Sequence, residues 1–200
     1  MSLKKTVVYF LTGIFAVALF ACSGPQVTRV DSNEEIDLSG DWNDTDSKQV
    51  AQEMINDSFA SKWVESYKMA NGRKPRVIVG SVLNKTEEHI SAETFVKDLE
   101  RSFINSGKVT FVASKSQRNE VREERDDQSL NSKNAKKKGN EIAADFMLKG
   151  QINSIFDANK KAQLKYYQVE LELIDMETNE TVWIGQKKIK KVVAKRKYKA

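Results

Sequence analysis

The chain has 200 residues, with 33 Lys and Arg against 28 Asp and Glu, a formal net charge of +5, one histidine and one cysteine. A lone cysteine closes no internal disulfide, and one Cys and one His, 67 positions apart, exclude a Cys/His catalytic dyad and a Cys/His-rich zinc site. Hydrophobic residues make up 40% and charged residues 30%, so the roughly 160 residues beyond the N-terminal region can bury the core of one domain but not of two.

The cysteine, Cys22, stands where a hydrophobic run stops. Lys4 and Lys5 precede a largely apolar stretch from Val7 to Phe20, followed by the small Ala21. The run is shorter than the 20 or so residues a bilayer-spanning helix needs, and polar chain follows at once, which is the pattern of a secretory signal peptide over 1–21. Leu19-Phe20-Ala21-Cys22 has the form of a bacterial lipobox, in which the cysteine becomes the acylated first residue of the mature chain. The alternative is a secreted protein with an incidental cysteine past an ordinary cleavage site. Lipidation of Cys22 would anchor everything after it, and Ser23, by resemblance to enterobacterial lipoproteins, directs the anchor to the outer membrane, with the domain facing the periplasm. Removal of 1–21 takes two lysines and no acid, leaving 31 basic and 28 acidic residues.

Residues 22–40 read as a lipidated N-terminus and short tether, with room for a first strand within Val27 to Val30. Eighteen flexible residues average about 25 Å and reach about 60 Å when extended. The globular domain is expected over 41–200, with a basic C-terminal tail. From Asp44 or Asp46 as N-cap to about Met69, neither Gly nor Pro occurs, and Val50, Met54, Ile55, Phe59, Trp63 and Tyr67 recur at helical steps, predicting one long amphipathic helix. Asn71-Gly72 stops it. "RVIVGSVLN" is apolar on both faces, as a central strand is. Ser91 caps a second helix with a stripe of Phe95, Val96, Leu99, Phe103 and Ile104, ended by Ser106-Gly107. "KVTFVAS" is then a strand, and 116–140 one or two solvated helices broken near Ser129. Three antiparallel strands follow: "DFMLKGQINSIF", "KYYQVELELIDM" and "TVWIGQKKIKKVV". In the second, Tyr167, Val169, Leu171 and Leu173 form a dry face, and Tyr166, Gln168, Glu170 and Glu172 a wet or partner-facing one. Asn179 supplies the left-handed turn residue before the third. The fold class is α/β, an α+β sandwich: a mixed, partly antiparallel sheet flanked by helices.

The motifs carry little chemistry. His89 lies in a polar loop, no serine sits in a nucleophile elbow, and the carboxylate pairs Glu87/Glu88, Glu123/Glu124 and Asp126/Asp127 fall in charged runs that offer no burial to shift a pKa. Gly80 and Gly150 lie alone in strands, and "DWNDTD" at 41–46 lacks the glycine and distal glutamate of a calcium loop; helix capping accounts for it. No cofactor or metal is expected, and no enzyme. The lysines crowding 187–199 could suggest nucleic acid, but an exported lipoprotein seldom meets any, and they read better as edge-strand guards. Among the aromatics, Trp63 and Trp183 read as core, Trp42 as packing or exposed anchor, and Tyr166, on the polar strand face, as the best recognition side chain. Tyr166 and Trp42 are the candidate partner-binding residues.

"SGDWNDTDSKQVAQEM", "KPRVIVGSVLNKTEEHISAETFVKDLERSFINSGKVTFV", "ADFMLKGQI" and "KYYQVELELIDMETNETVWIGQKKIKK" together resemble, in order and spacing, the LpoB family of outer-membrane lipoproteins over roughly 39–191. The resemblance implies a small helix-flanked sheet related to the TolB N-terminal domain. It also implies a non-enzymatic role: activation of peptidoglycan synthesis by binding a bifunctional class A penicillin-binding protein through that synthase's docking domain. It supplies no alignable binding residues. The chain departs from the better-known members, whose tether is long and proline-rich; here it is short, with Pro25 alone. A structural or assembly lipoprotein of an envelope or secretion complex is the alternative reading. A monomer is the expected state.

Overall fold

A computed structural model describes residues 26–31 and 34–194. The chain divides into two compact units, Met1–Glu34 and Glu35–Ala200. In the first, residues 26–31 are exposed coil, so the strand expected within Val27 to Val30 does not form. The cause is visible in its side chains: Val27 is 92% exposed and has no apolar face to join. Cys22 and the signal segment lie outside the described residues, as does the basic tail from 195 onward.

The second unit runs α1 (Asp44–Ala60), α2 (Trp63–Asn71), β1 (Arg76–Asn84), α3 (Ala92–Ser106), β2 (Thr110–Phe111), α4 (Lys115–Asn131), β3 (Phe146–Ala158), β4 (Ala162–Asp175) and β5 (Thr181–Ala194). The strands form one sheet in the order β2-β1-β3-β4-β5; β1 is parallel to both neighbours, and β3, β4 and β5 are antiparallel. The fold is thus mixed α/β, as the sequence predicts, with the late strands joined by short turns and Asn179 at φ 63° in the last of them.

The cap of α1 is neither Asp44 nor Asp46 but Asn43, whose side chain accepts the Asp46 N–H while Asp46 accepts the Asn43 N–H in a reciprocal box. The single long helix expected to Met69 is two helices. At the break, the Ser58 carbonyl is claimed by the Ser61 hydroxyl at 2.7 Å and by the Trp63 indole N–H at 2.9 Å, and Ser61 is extended. A polar residue with its own use for the backbone ends the helix here. Gly72 and Gly107 terminate α2 and α3 in left-handed conformations.

One face of the sheet carries the core. Val77, Val79 and Val82 of β1, Phe146, Leu148 and Ile152 of β3, and Tyr167, Val169, Leu171 and Leu173 of β4 meet α1, α2 and α3 through Val50, Ile55, Phe59, Trp63, Phe95, Leu99 and Phe103. Ile104, expected in the α3 stripe, is 56% exposed, because the stripe rotates past it after Phe103. Of "KVTFVAS" only Thr110–Phe111 pairs as strand, although Val109 and Val112 are buried on either side. The charged stretch makes one helix, α4, with no buried residue; it continues through Ser129 to Asn131, and the chain after it is turn and coil. The register shift between Val79 and Val82 places a bulge at Gly80. Trp183 lies across Gly185, where an added Cβ would stand 2.2 Å from the ring, and its N–H donates to Asp57 of α1 at 3.1 Å.

A second tie closes the start of β3. Asp145 takes two hydrogen bonds from the Arg73 guanidinium, at 2.7 and 2.8 Å, and one from the Arg76 N–H. Burial pushes its pKa up, but Arg73, the Arg76 N–H and Tyr67 outweigh that and hold it below the ordinary carboxylate value of 3.8. A depressed folded pKa means stability that is present above the unfolded pKa and lost as pH falls through the folded one. Asp145→Asn is expected to cost about 1–3 kcal/mol at pH 7, with the gap from the parent narrowing below about pH 4; urea unfolding at the two pH values checks it.

Candidate protein-docking surface

Alternation along β4 makes two chemically different faces. The odd-numbered residues Tyr167 to Leu173 are buried under the helices, and Tyr166, Gln168, Glu170 and Glu172 are half-exposed on the other side. The strand register sets their neighbours: Ile155 opposite Tyr166, Asn153 opposite Gln168 and Gln151 opposite Glu170 from β3, with Lys190, Lys188 and Gln186 from β5.

At the centre of this outer face is a polar ladder. Glu170 accepts from Gln151 at 2.8 Å, Gln168 at 2.5 Å and Gln186 at 3.3 Å, and the Tyr166 hydroxyl donates to Gln168 at 3.1 Å. Hydrogen bonds from Gln151 first, then from Gln168, hold the Glu170 carboxyl below its usual pKa. Around the ladder stand exposed apolar side chains, Ile155 at 64%, Ile184 at 68% and Val192 at 69%. Fixed amides with an aromatic and an aliphatic rim suit protein contact, whose core favours Tyr and apolar groups within a polar setting.

The helix-side face carries a different network at its far end. Glu88, in the β1–α3 loop, accepts from the Tyr167 hydroxyl at 2.7 Å on both oxygens, from Lys165 at 2.8 Å and from the Trp42 N–H at 3.2 Å. Burial, then the Glu88 carboxylate, raises the Tyr167 pKa far above that of free tyrosine. Lys165 also pairs with Asp41, and its pKa is lowered by burial and by the nearby Lys191. Lys191 bridges Asp46 at 2.6 Å and Asp37 at 2.8 Å and donates to the Asp41 carbonyl at 3.2 Å. Residues 37–43 are thereby strapped to the ends of β4 and β5. Beside the network opens a cleft of about 590 Å³ lined by Lys85, Glu87, Glu88, Phe156 and Lys165. Of its charged lining, Lys165 and Glu88 pair with each other at 2.8 Å.

The two candidate contact residues fall on opposite sides of the sheet. Trp42 is half-buried with its ring edge-on to Phe95, at 6.1 Å, and to Tyr167, at 5.6 Å, whereas Tyr166 faces outward. They do not share a surface. His89 is exposed, and the Glu123/Glu124 and Asp126/Asp127 pairs lie exposed on α4. Sequence reading misses the strap. Its one signal is the charge asymmetry, an acidic stretch at 31–65 and a lysine-rich last strand, and the fold brings these together.

The domain is a helix-backed sheet with one solvent-facing polar side. The chain belongs to the LpoB family: the family model described as peptidoglycan-synthase activator LpoB matches residues 46–189. Among solved structures, it is similar to the LpoB C-terminal domain from Escherichia coli at 17% identity, covering 72% of this chain and 98% of that one with a TM-score of 0.46. The NMR structure of E. coli LpoB matches at 18% identity, covering 88% of this chain and 84% of that one, with a TM-score of 0.42. Lipoprotein GNA1162 from Neisseria meningitidis matches at 8% identity over 59% of this chain and 83% of that one, with a TM-score of 0.40. No curated protein sequence matches the chain. Among the described residues, no helix is long and apolar enough to cross a membrane.

Lys191 tests the strap. Burial alone would lower its pKa, but Asp37 and Asp46 outweigh this and raise it above 10.5. A raised folded pKa gives stability that is complete below the unfolded pKa and lost only as pH climbs past it, so the strap holds throughout the neutral range. Lys191→Met leaves the buried Asp46 carboxylate without its cation and is expected to cost about 3 kcal/mol at pH 7, measured by thermal or urea unfolding.

Proposed function

We propose that this chain is a lipoprotein anchored through Cys22 in the outer membrane, facing the periplasm, and that it activates a bifunctional class A penicillin-binding protein by docking on it. Family membership over 46–189 is the observation that carries the reading. The outer face of β3, β4 and β5 is the contact surface, with Tyr166 at its centre. Trp42 contributes from the other side, where it packs on Tyr167 and fixes Glu88. The role is contact alone, with no cofactor and no nucleic acid, and the chain acts as a monomer.

The reach of the tether constrains the partner. Cys22 and Asp37, the first residue strapped to the sheet, are 15 positions apart, and fully extended that stretch spans about 50 Å. The synthase's docking domain must come within that distance, plus the breadth of the globular domain itself, of the anchoring membrane.

The deciding experiment is glycan polymerisation by the purified class A synthases of the same organism, with and without the processed chain in detergent. A several-fold rate increase is expected; no increase with any synthase, from a folded domain, sinks the reading in favour of an assembly role in an envelope complex. Tyr166→Ala is expected to weaken synthase binding by about tenfold or more with an unchanged melting temperature; a large loss of stability would make Tyr166 a packing residue instead. Cys22→Ala is expected to leave an unprocessed precursor that no longer fractionates with outer membranes, and normal fractionation of that variant refutes the anchor.

A further inference from the structure

Among the described residues, β5 is an edge strand of 14 residues. The direction of its unpaired groups follows from the β3–β4 hairpin, where the Asn159 N–H donates to the Ala162 carbonyl at 2.9 Å. Even-numbered residues of β4 therefore bond to β3 and odd-numbered ones to β5. Leu171 stands opposite Gly185 and Val169 opposite Lys187, so the odd-numbered residues of β5 face β4. The N–H and C=O groups of Ile184, Gln186, Lys188, Lys190 and Val192 point away from the sheet. All five of these residues are also exposed. Past the irregularity near Val182 the ladder runs without a shift from Trp183 to Ala194, and no proline interrupts it.

The lysines of this strand are of two kinds. Lys187 turns inward to Glu53, and Lys191 to Asp37 and Asp46. Lys188 and Lys190 stand on the outer face and form no ion pair among the described residues; the charge of Lys188 reaches Glu170 only across the face. An open edge is a pairing template unless something blunts it, and lysine is the usual guard. A guard of one sign is selective, however: two uncompensated ammonium groups repel a second copy laid in register and attract a strand bearing carboxylates.

We infer that the free edge of β5 is a strand-addition site for an extended acidic segment of a partner protein. Backbone hydrogen bonds along Ile184–Val192 supply the binding, and carboxylates at alternate positions, beside Lys188 and Lys190, supply the choice. The site borders the proposed outer-face contact and shares Lys188 and Lys190 with it, but strand addition uses the backbone edge and does not require the partner to be a synthase.

The test uses the processed full chain in detergent micelles and, as probes, synthetic decapeptides alternating Glu with Val and Lys with Val. Amide hydrogen exchange reads the site. The Glu–Val peptide should slow exchange at Ile184, Gln186, Lys188 and Lys190, an effect that weakens several-fold as salt rises from about 0.05 to 0.5 M. Lys188→Glu with Lys190→Glu changes only exposed side chains, leaves the lysines from 195 onward in place, and should reduce the affinity about tenfold with the near-UV spectrum unchanged. Equal protection by the Lys–Val peptide, absence of protection at these amides, or unaltered binding by the double variant would each overturn the proposal. Synthase stimulation can fail while this binding persists, so the two readings are separable.

Discussion

The alternation along β4 governs the rest of the molecule. Because successive side chains of a strand point to opposite faces, Tyr167, Val169, Leu171 and Leu173 can bury under three helices only if Tyr166, Gln168, Glu170 and Glu172 do not. A slip of one residue would put Glu170 into the core and Leu171 into water, an exchange no part of the fold tolerates. The register that makes the domain stable therefore also builds its contact face. Glu170 illustrates the economy of that face: its carboxylate meets three amide donors, so the wet side is preorganised without a buried charge.

The same strand joins the polar networks at its end. Lys165 and Tyr167 share a face and meet at Glu88, while the neighbouring Lys191 gathers Asp37 and Asp46. This end of the sheet extends past β1, whose last residue, Asn84, pairs with Ile152. Lacking a fourth strand and a helix there, the three long strands are covered by residues 37–43 and the Glu88 loop. Ionic contacts take over where the apolar layer runs out.

Much of this was legible in the sequence, for physical reasons that differ by element. The β4 faces, the α3 cap at Ser91, the Gly72 and Gly107 stops and the Asn179 turn each depend on residues within one or two turns of chain, which a pattern captures. The break at Ser61 was not legible because it depends on Trp63 bonding back to Ser58 in preference to helix continuation. Val27 to Val30 has strand composition without a partner edge, and Ile104 has the right spacing without a facing surface; both are decided by tertiary contacts. Of the site, Tyr166 could be placed on its face by alternation alone. Trp42, outside any periodic segment, could not, and the Lys191 strap joins residues 145 and 154 positions apart.

The strap has a mechanical consequence. Tension carried along the chain from the N-terminal side first meets the exposed Gln49–Glu35 bond to α1 and then the Lys191–Asp37 and Asn43–Asp37 bonds. These are exposed polar contacts at the end of a strand, weaker than the ladder behind them. If they and the Asp41 contacts to Lys165 and Lys191 yield, residues 37–43 can straighten to at most about 23 Å end to end, a gain smaller than that by the span they already cover, while the core cluster keeps all its members. The residues that join the first unit to the sheet are thus held by ionic contacts, whereas the domain they lead into is held by its apolar core.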